Sequence, residues 1–254
     1  MRAAPTALTV IPALMIREAI VVNGRAVGGY AWAILEPVLG IALLTLVFSA
    51  ISSVPPIGAV YPLFYATGYL PFLFWSQAQA RLMGSARSSK ALLEHSSVTI
   101  PDVLISRILL AAITSAVVMT LIYAAIRLIW APQERIDIAS MSGAFVMTGL
   151  LAFGVGTLNA GIAGLFPTWE KIWGIGSRPL FMISGVFFPF LMLPETLRTG
   201  LWWNPLVHVV GMTREAVYAG YDASYVSPAY VLGFSALAAI TGLALLLSSD
   251  RVRD

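Results

Sequence analysis

The sequence has no cysteine, only two histidines and few charged residues of either sign. Without cysteine the chain can form no disulfide, no thiolate nucleophile and no cysteine-ligated metal site. Charged residues make up 11% of the 254 residues, against about 25% in soluble proteins. Hydrophobic residues make up 59%. A soluble domain of this length could not hide so much apolar surface, so the composition predicts a protein whose solvent is a lipid bilayer.

Several kinds of active site are excluded by the same scarcity. Neither lysine follows a glycine-rich loop, so the chain has no P-loop for nucleotide phosphates. His95 and His208 fall on opposite sides of the predicted membrane, and no His, Asp and Glu cluster has metal-ligand spacing. Glu36 beside Pro37 is interpreted as the first turn of a helix, stabilised by the helix dipole. We therefore predict no catalytic residue, no metal site and no cofactor bound by this chain.

Six segments are apolar over the roughly 20 residues that a spanning helix needs. The fold class is therefore predicted to be an all-α integral membrane protein, with one transmembrane domain over residues 1–254. The predicted spans cover residues 35–54, 61–83, 103–130, 138–166, 172–193 and 226–247. The N-terminus lacks a short apolar region with a small-residue cleavage site, so we expect it to be retained.

Lysines and arginines are distributed unequally among the connections. With both termini on one side, eleven fall on that side and four, Arg127, Arg135, Arg198 and Arg214, fall on the other. The positive-inside rule then places both termini in the cytoplasm.

Two segments on the cytoplasmic side have the character of contact surfaces. Residues 12–27 place Arg17, Glu18 and Arg25 in one sector of a helical wheel opposite apolar residues, which predicts an amphipathic helix in the membrane interface. It could be a surface anchor or a docking helix for a soluble partner. Residues 84–101 form the longest cytoplasmic connection, which is either a short capped helix for a protein contact or a solvated linker.

Residues 194–225 are too apolar for an ordinary loop and too polar to span the membrane. They contain paired tryptophans, charges and the helix breaker Pro205. Non-helical backbone at membrane depth is tolerated only where protein or a water-filled cavity covers it. We therefore predict a re-entrant periplasmic hairpin before the last helix, which either closes a conduit or docks a partner.

Four blocks of sequence carry a resemblance to a known family. They are the glycine and aromatic residues leading to Leu35-Glu36-Pro37, residues 68–75, residues 98–104, and Ile183-Ser184-Gly185-Val186-Phe187-Phe188 followed by Asn204-Pro205-Leu206-Val207-His208. The chain resembles the membrane permease of bacterial ABC exporters of capsular polysaccharide. It is also similar to the broader family that exports O-antigen and teichoic acid.

The resemblance implies a homodimer in the bacterial inner membrane, bound to two copies of a separate ATPase that holds ATP and Mg²⁺. A periplasmic co-polymerase and an outer-membrane channel would be further partners, with no nucleic acid. The substrate would be a polysaccharide on a lipid with a negatively charged linker.

The resemblance also implies roles for individual residues, carried over by position. Coupling to the ATPase would fall to Arg17, Glu18, Arg25, Arg87, Lys90, Glu94 and His95. The predicted substrate path comprises Trp32, Phe72, Phe74, Trp75, Arg178, Phe181, Phe187 and Phe188. Its phenylalanines and Trp75 are proposed from their residue type, since apolar faces of sugar rings can slide on aromatic faces, and Arg178 could hold the anionic linker. An aromatic belt or ordinary packing is the alternative for each ring, and a positive-inside anchor is the alternative for Arg178. The periplasmic gate would comprise Trp202, Trp203, Asn204 and Pro205.

We thus predict the transmembrane subunit of an ATP-driven exporter that moves lipid-linked capsular polysaccharide. The alternatives are a permease of the same superfamily for O-antigen, teichoic acid or a drug, an intramembrane enzyme acting on lipid-linked sugars, and a passive channel or scaffold.

Overall fold

The computed structural model describes residues 7–23, 29–85, 98–131 and 135–251, and the regular elements in these ranges are helices. The α-helices are α1 Ala7–Asn23, α2 Gly29–Ser49, α3 Tyr61–Met83, α4 Ile100–Ile129, α5 Ile138–Leu165, α6 Trp169–Gly176, α7 Arg178–Ile183, α8 Glu195–Leu201, α9 Pro205–Val217 and α10 Pro228–Arg251. A 3-10 helix covers Phe190–Met192. The predicted all-α class is confirmed for these ranges.

Within the described ranges, four helices are long and apolar enough to cross a membrane, namely α2, α4, α5 and α10. Helix α3 has the bounds predicted for the second span, yet it is less apolar because Gln77, Gln79 and Arg81 occupy its last two turns. Most residues of α3 are buried, and it packs against α2, α4, α5 and α9. Its polar residues are tolerated because neighbouring helices, and not lipid, surround it.

The contacts of α3 fix the directions of its neighbours. Arg107 of α4 donates to the carbonyl oxygen of Arg81 near the end of α3, and Tyr123 donates to that of Ala66 near its beginning. Helices α3 and α4 are therefore antiparallel. Helix α2 is antiparallel to α3, because Glu36 near its beginning contacts Gln77 and Phe48 near its end contacts Tyr65. Helix α5 is parallel to α3, because Phe145 contacts Phe74 and the later Asn159 contacts the later Gln79.

Helices α5 and α10 run parallel and approach each other very closely. Gly154 lies against the backbone of Ser235, and Gly161 lies against Gly242 one step of seven residues further along both helices. A Cβ atom on Gly242 would overlap the backbone of Thr157 and Leu158. Since α10 follows the direction of α5 and α3, the beginning of α2 and the end of α10 lie at the same end of the bundle.

The N-terminal helix α1 begins earlier than the predicted interface helix at 12–27, and residues 24–28 lie outside the described ranges. Its Val10 and Leu14, one turn apart, pack against Val103 of α4. On the next turn Glu18 lies 3.4 Å from the Nε of Arg107. The face of α1 that carries Glu18 is therefore turned toward the bundle.

The predicted fifth span, 172–193, is not a single helix. It contains most of α6, all of α7, an irregular turn and the 3-10 helix Phe190–Met192. Pro179 lies in the first turn of α7, and Gly185 has a φ of +80°, a conformation that side-chain-bearing residues rarely adopt. A count of apolar residues does not detect these breaks, although Arg178-Pro179 lies within the predicted span.

Helices α8 and α9 occupy the region of the predicted hairpin and are joined by a turn at residues 202–204, which we call the hairpin turn. Leu206 and Val209 of α9 belong to the same core cluster as Leu151, which lies at the midpoint of α5. The other end of α9 reaches the connection before α5, where the N–H of Asp137 donates to the carbonyl of Ala216. Helix α9 therefore runs along the N-terminal half of α5.

Candidate functional site

Four of the predicted path residues form a continuous row of rings. The ring centroids of Trp75 and Phe72 are 5.7 Å apart, those of Phe72 and Phe181 are 5.0 Å apart, and those of Phe181 and Phe187 are 5.0 Å apart. Phe48 of α2 extends the row at 5.7 Å from Phe187. We call these five residues the aromatic strip. It joins α2, α3, α7 and the turn after α7.

The remaining predicted path residues lie elsewhere. Phe74 points to the opposite side of α3 and stacks on Phe145 of α5 at 4.7 Å, inside a core cluster. Trp32 is 60% exposed on α2, and Arg178 is exposed at the beginning of α7. Phe188 is half-buried and supplies its backbone carbonyl to Arg214. The structure thus separates one row of contacting rings from isolated positions. Trp75, at one end of the row, is as buried as Phe74 and belongs to the same core cluster.

The turn after α7 is packed directly on α3. A Cβ atom added to Gly68 would lie 2.9 Å from the Cα of Val186. Gly68 therefore permits the close approach of the two backbones, and Gly185 permits the turn itself. These two glycines place Phe187 within the aromatic strip.

Arg214 of α9 holds this turn from the other side. Its guanidinium donates to the carbonyl oxygens of Phe188 at 3.1 Å and Val186 at 3.2 Å. It also lies 4.6 Å from the ring centroid of Phe64, in cation–π contact. Arg214 is only 1% exposed. Sequence reasoning counted it as a periplasmic charge and missed this role, although an arginine among apolar residues is itself a signal.

The predicted gate residues shape the hairpin turn. The Asn204 side chain accepts from the N–H of Leu206 at 3.1 Å, which caps α9, and donates to the carbonyl of Ile183 at 3.1 Å. The Trp202 indole donates to the carbonyl of Tyr225 at 2.9 Å. Asn204 therefore ties the hairpin to the end of α7.

His208 completes the support of the turn. Its Nδ1 accepts from the N–H of Ser227 at 3.1 Å, so the proton of the neutral ring lies on Nε2. Nε2 then donates to the carbonyl of Trp202 at 2.8 Å. Tyr230 donates to the carbonyl of Trp203 at 2.6 Å. These bonds hold the backbone of the turn.

A cavity of about 320 Å³ lies between the hairpin turn and the helices α3, α5 and α10. Three tryptophans line it, namely Trp75, Trp173 and Trp203, together with Asn204 and Pro205. It brings one end of the aromatic strip to the predicted gate. Apolar ring faces with one amide at the wall form a surface on which sugar rings or an acyl chain can pack.

A buried network of amides and indoles fixes α6 to the bundle. Trp173 donates to Oε1 of Gln79 at 3.0 Å, and Asn159 donates to the same oxygen at 3.2 Å. Trp169 donates to Oδ1 of Asn159 at 2.9 Å. Gln79 and Asn159 are 3% and 2% exposed. Sequence reasoning assigned both tryptophans to an aromatic belt. The amides Gln79 and Asn159 within apolar segments could have indicated that these segments hold buried hydrogen-bond partners.

The predicted coupling residues are only partly described. Arg17 is exposed and Glu18 faces Arg107, whereas Arg25, Arg87, Lys90, Glu94 and His95 lie outside the described residues. Among the residues that are described, no group of three or more His, Asp or Glu could hold a metal.

The interpretation of Glu36 as a first-turn residue is wrong. Helix α2 begins at Gly29, so Pro37 lies inside the helix. The carboxylate of Glu36 accepts from the side chain of Gln77 at 3.0 Å. This partner from α3 explains why a carboxylate is accommodated within the span.

Comparisons with known proteins agree on one family. Residues 9–218 match the model of the ABC-2 type transporter family. The chain is 32% identical over 240 residues to the polysialic acid transport protein KpsM of Escherichia coli, covering 92% of this chain and 91% of that protein.

Two further relatives are capsule proteins. The chain is 30% identical over 239 residues to the capsule polysaccharide export inner-membrane protein BexB of Haemophilus influenzae, covering 94% and 87% of the two chains. It is 29% identical over 239 residues to the corresponding protein CtrC of Neisseria meningitidis serogroup A, covering 93% and 89%. With its apolar helices and this match over most of its length, the chain belongs to the ABC-2 type transporter family as a multi-pass membrane permease.

Proposed function

We propose that this chain is the transmembrane subunit of an ATP-driven exporter that moves lipid-linked capsular polysaccharide from the cytoplasm across the inner membrane. The observation that carries the proposal is the similarity, over more than nine tenths of the chain, to proteins named for polysialic acid transport and capsule polysaccharide export. Nucleotide hydrolysis belongs to a separate subunit, because the sequence has no P-loop.

The proposed topology has six crossings with both termini in the cytoplasm. Support comes from the helix directions, since the chain must return from the end of α5 to the level where α10 begins. The broken pair α6 and α7 makes that fifth crossing. The hairpin α8–α9 then enters from the periplasmic side, which agrees with Leu206 lying beside the midpoint of α5.

The proposed path for the polymer runs along the aromatic strip toward the cavity lined by Trp75, Trp173 and Trp203. Successive sugar rings stack weakly on aromatic faces, which allows them to move on. The hairpin turn with Trp202, Trp203, Asn204 and Pro205 closes this path on the periplasmic side. Arg178 binds the anionic linker by a charge-assisted contact.

The proposed assembly contains two copies of this chain and two ATP-binding subunits that carry ATP and Mg²⁺. A periplasmic co-polymerase and an outer-membrane channel continue the route. Helix α1 and residues 84–101 receive the motion of the ATPase through Arg17, Glu18, Arg25, Arg87, Lys90, Glu94 and His95. Nucleotide binding drives transport only through its different affinity for two arrangements of the dimer.

Deletion and complementation test the function. Cells that lack this chain should retain the polymer inside, and the wild-type chain should restore surface polysaccharide. The charge reversal Glu94→Lys should abolish both export and co-purification of the ATPase, whereas Glu195→Lys in the exposed α8 should not. Normal surface polysaccharide in the deletion strain would refute the proposal.

A further inference from the structure

A second cavity lies away from the aromatic strip, between the last turns of α4 and the first turns of α5. Its volume is about 440 Å³, within the range of sites that hold small molecules. Residues spaced by three and four along α4 form one wall, from Ala116 to Arg127. At 1.5 Å per residue this wall is about 16 Å long. The cavity is therefore an elongated cleft that follows the helix axis.

The cleft is apolar along its length and cationic at one end. Met119 and Tyr123 form its floor, where the Tyr123 hydroxyl is already bonded to the carbonyl of Ala66 at 3.2 Å. Ala116 and Ala124 leave room because their side chains are short. The exposed guanidinium of Arg127 stands at the end nearest the membrane surface. The apolar length of the cleft matches an acyl chain, and the guanidinium at its end matches an anionic group.

The position of the cleft indicates where such a ligand would come from. Its walls belong to α4 and α5, two of the helices long and apolar enough to span the membrane. Leu121 and Leu128, on the same helix as Arg127, are exposed, as expected for a surface in contact with lipid tails. Thus a molecule entering from the side would come from the bilayer.

Among the described residues, Arg127 and Asp137 form no ion pair, and the hydrogen bonds of the Asp137 carboxylate lie within its own helix start. Asp137 caps α5, accepting from the N–H of Ala139 at 3.0 Å and the hydroxyl of Ser140 at 2.6 Å. The Ser140 hydroxyl and the N–H groups of Ala139 and Ser140 hold the pKa of Asp137 below its usual range. Its carboxylate is thus committed to the start of the helix.

We infer that this cleft binds one phospholipid of the surrounding bilayer, with an acyl chain between α4 and α5 and the headgroup phosphate on Arg127. The site is separate from the proposed path of the polymer, and its occupant is a resident lipid and not cargo. Bound in this way, the lipid fills the gap between the two helices.

Native mass spectrometry of the delipidated full-length chain, titrated with phosphatidylglycerol, tests this inference. The protein is made in a host that produces no capsule polymer, so that a lipid-linked polymer cannot supply the signal. The wild type should bind the first phosphatidylglycerol molecule more tightly than any further ones. Diacylglycerol, which lacks the phosphate, should bind to this site less tightly than phosphatidylglycerol.

Matched variants distinguish binding in the cleft from binding to the general surface of the protein. Ala124→Trp, which fills the cleft, should remove the tight site, whereas Ala125→Trp on the adjacent face should retain it. Arg127→Gln should weaken binding about fivefold, the scale for one basic residue near an anionic headgroup, and Arg135→Gln should change it little. If Ala124→Trp elutes as an aggregate, Ala116→Leu replaces it. Wild-type affinity in the cleft-filling variant, or equal losses in the two arginine variants, would overturn the inference.

Discussion

The guanidinium of Arg214 donates to the carbonyl oxygen of Val186 at 3.2 Å, joining positions 28 residues apart in the chain. The bond links helix α9 to the irregular turn that interrupts the fifth predicted span. It forms where the arginine is almost fully buried. A buried cation therefore helps to hold the turn beside the aromatic strip.

Replacing Arg214 should destabilise the protein more than replacing an exposed arginine. Hydrogen bonds from a charged group contribute about 1.5–3 kcal/mol each, and Arg214→Met leaves the carbonyls of Val186 and Phe188 without this donor. We expect a loss of about 2–4 kcal/mol in the free energy of unfolding. Arg214→Lys should be intermediate, since an ammonium lacks the planar fork.

Denaturation of the detergent-solubilised variants measures this loss. Arg135→Met serves as the control, because Arg135 is exposed. Equal stability of the Arg214→Met and Arg135→Met proteins would show that the turn does not depend on the buried cation.

Trp173→Phe should loosen α6 while leaving its apolar packing nearly intact. The change removes the indole N–H that donates to Gln79 at 3.0 Å. The expected cost is about 1 kcal/mol, the net contribution of one hydrogen bond. A double-mutant cycle with Gln79→Leu should give a coupling energy of about 0.5–1.5 kcal/mol. Trp130→Phe, at an exposed tryptophan, should cost little, and additive effects of Trp173 and Gln79 would argue against the network.

Gly242→Ala and Gly233→Ala should have opposite effects, although both lie in α10. A methyl group at Gly242 overlaps the backbone of α5, whereas one at Gly233 meets nothing within 4 Å. We expect Gly242→Ala to destabilise by about 1–3 kcal/mol and Gly233→Ala to stabilise by about 0.4–1 kcal/mol. Thermal unfolding of both variants measures the difference. Similar melting temperatures would mean that α5 and α10 are not in this close contact.

Phe187→Ala and Phe74→Ala should separate transport from folding. Phe187 lies in the aromatic strip and is partly exposed, whereas Phe74 is buried against Phe145. Phe187→Ala should reduce surface polysaccharide while the protein accumulates normally. Phe74→Ala should lower the stability by about 3–5 kcal/mol and so reduce the amount of protein in the membrane. Wild-type export by Phe187→Ala would remove this ring from the path.

The apolar runs allowed much of the fold to be predicted. The bounds of α3 were predicted as observed, and the starts and ends of α4 and α5 were predicted within three residues. Helix α2 begins at Gly29, six residues before the predicted start at residue 35. The prediction was late because Glu36 beside Pro37 has the character of a helix start. Glu36 is instead paired with Gln77 across two helices, and such a partner is invisible in a linear sequence.

The candidate site was less predictable than the spans. The aromatic residues were identifiable by type, but only the three-dimensional packing places Phe72 and Phe187 in one strip and Phe74 in the core. The break at Gly185 depends on one positive φ, which composition does not determine. The roles of Arg214 and Asn159 depend on distant backbone and side-chain partners.

Transport in a reconstituted system tests the central claim most directly. This chain and its ATP-binding partner, inserted together into liposomes, should move lipid-linked capsular polysaccharide across the bilayer only when ATP and Mg²⁺ are supplied. Liposomes with either subunit alone should show no movement. Transfer of the polymer by this chain without the ATPase, or its chemical turnover by this chain alone, would contradict the account.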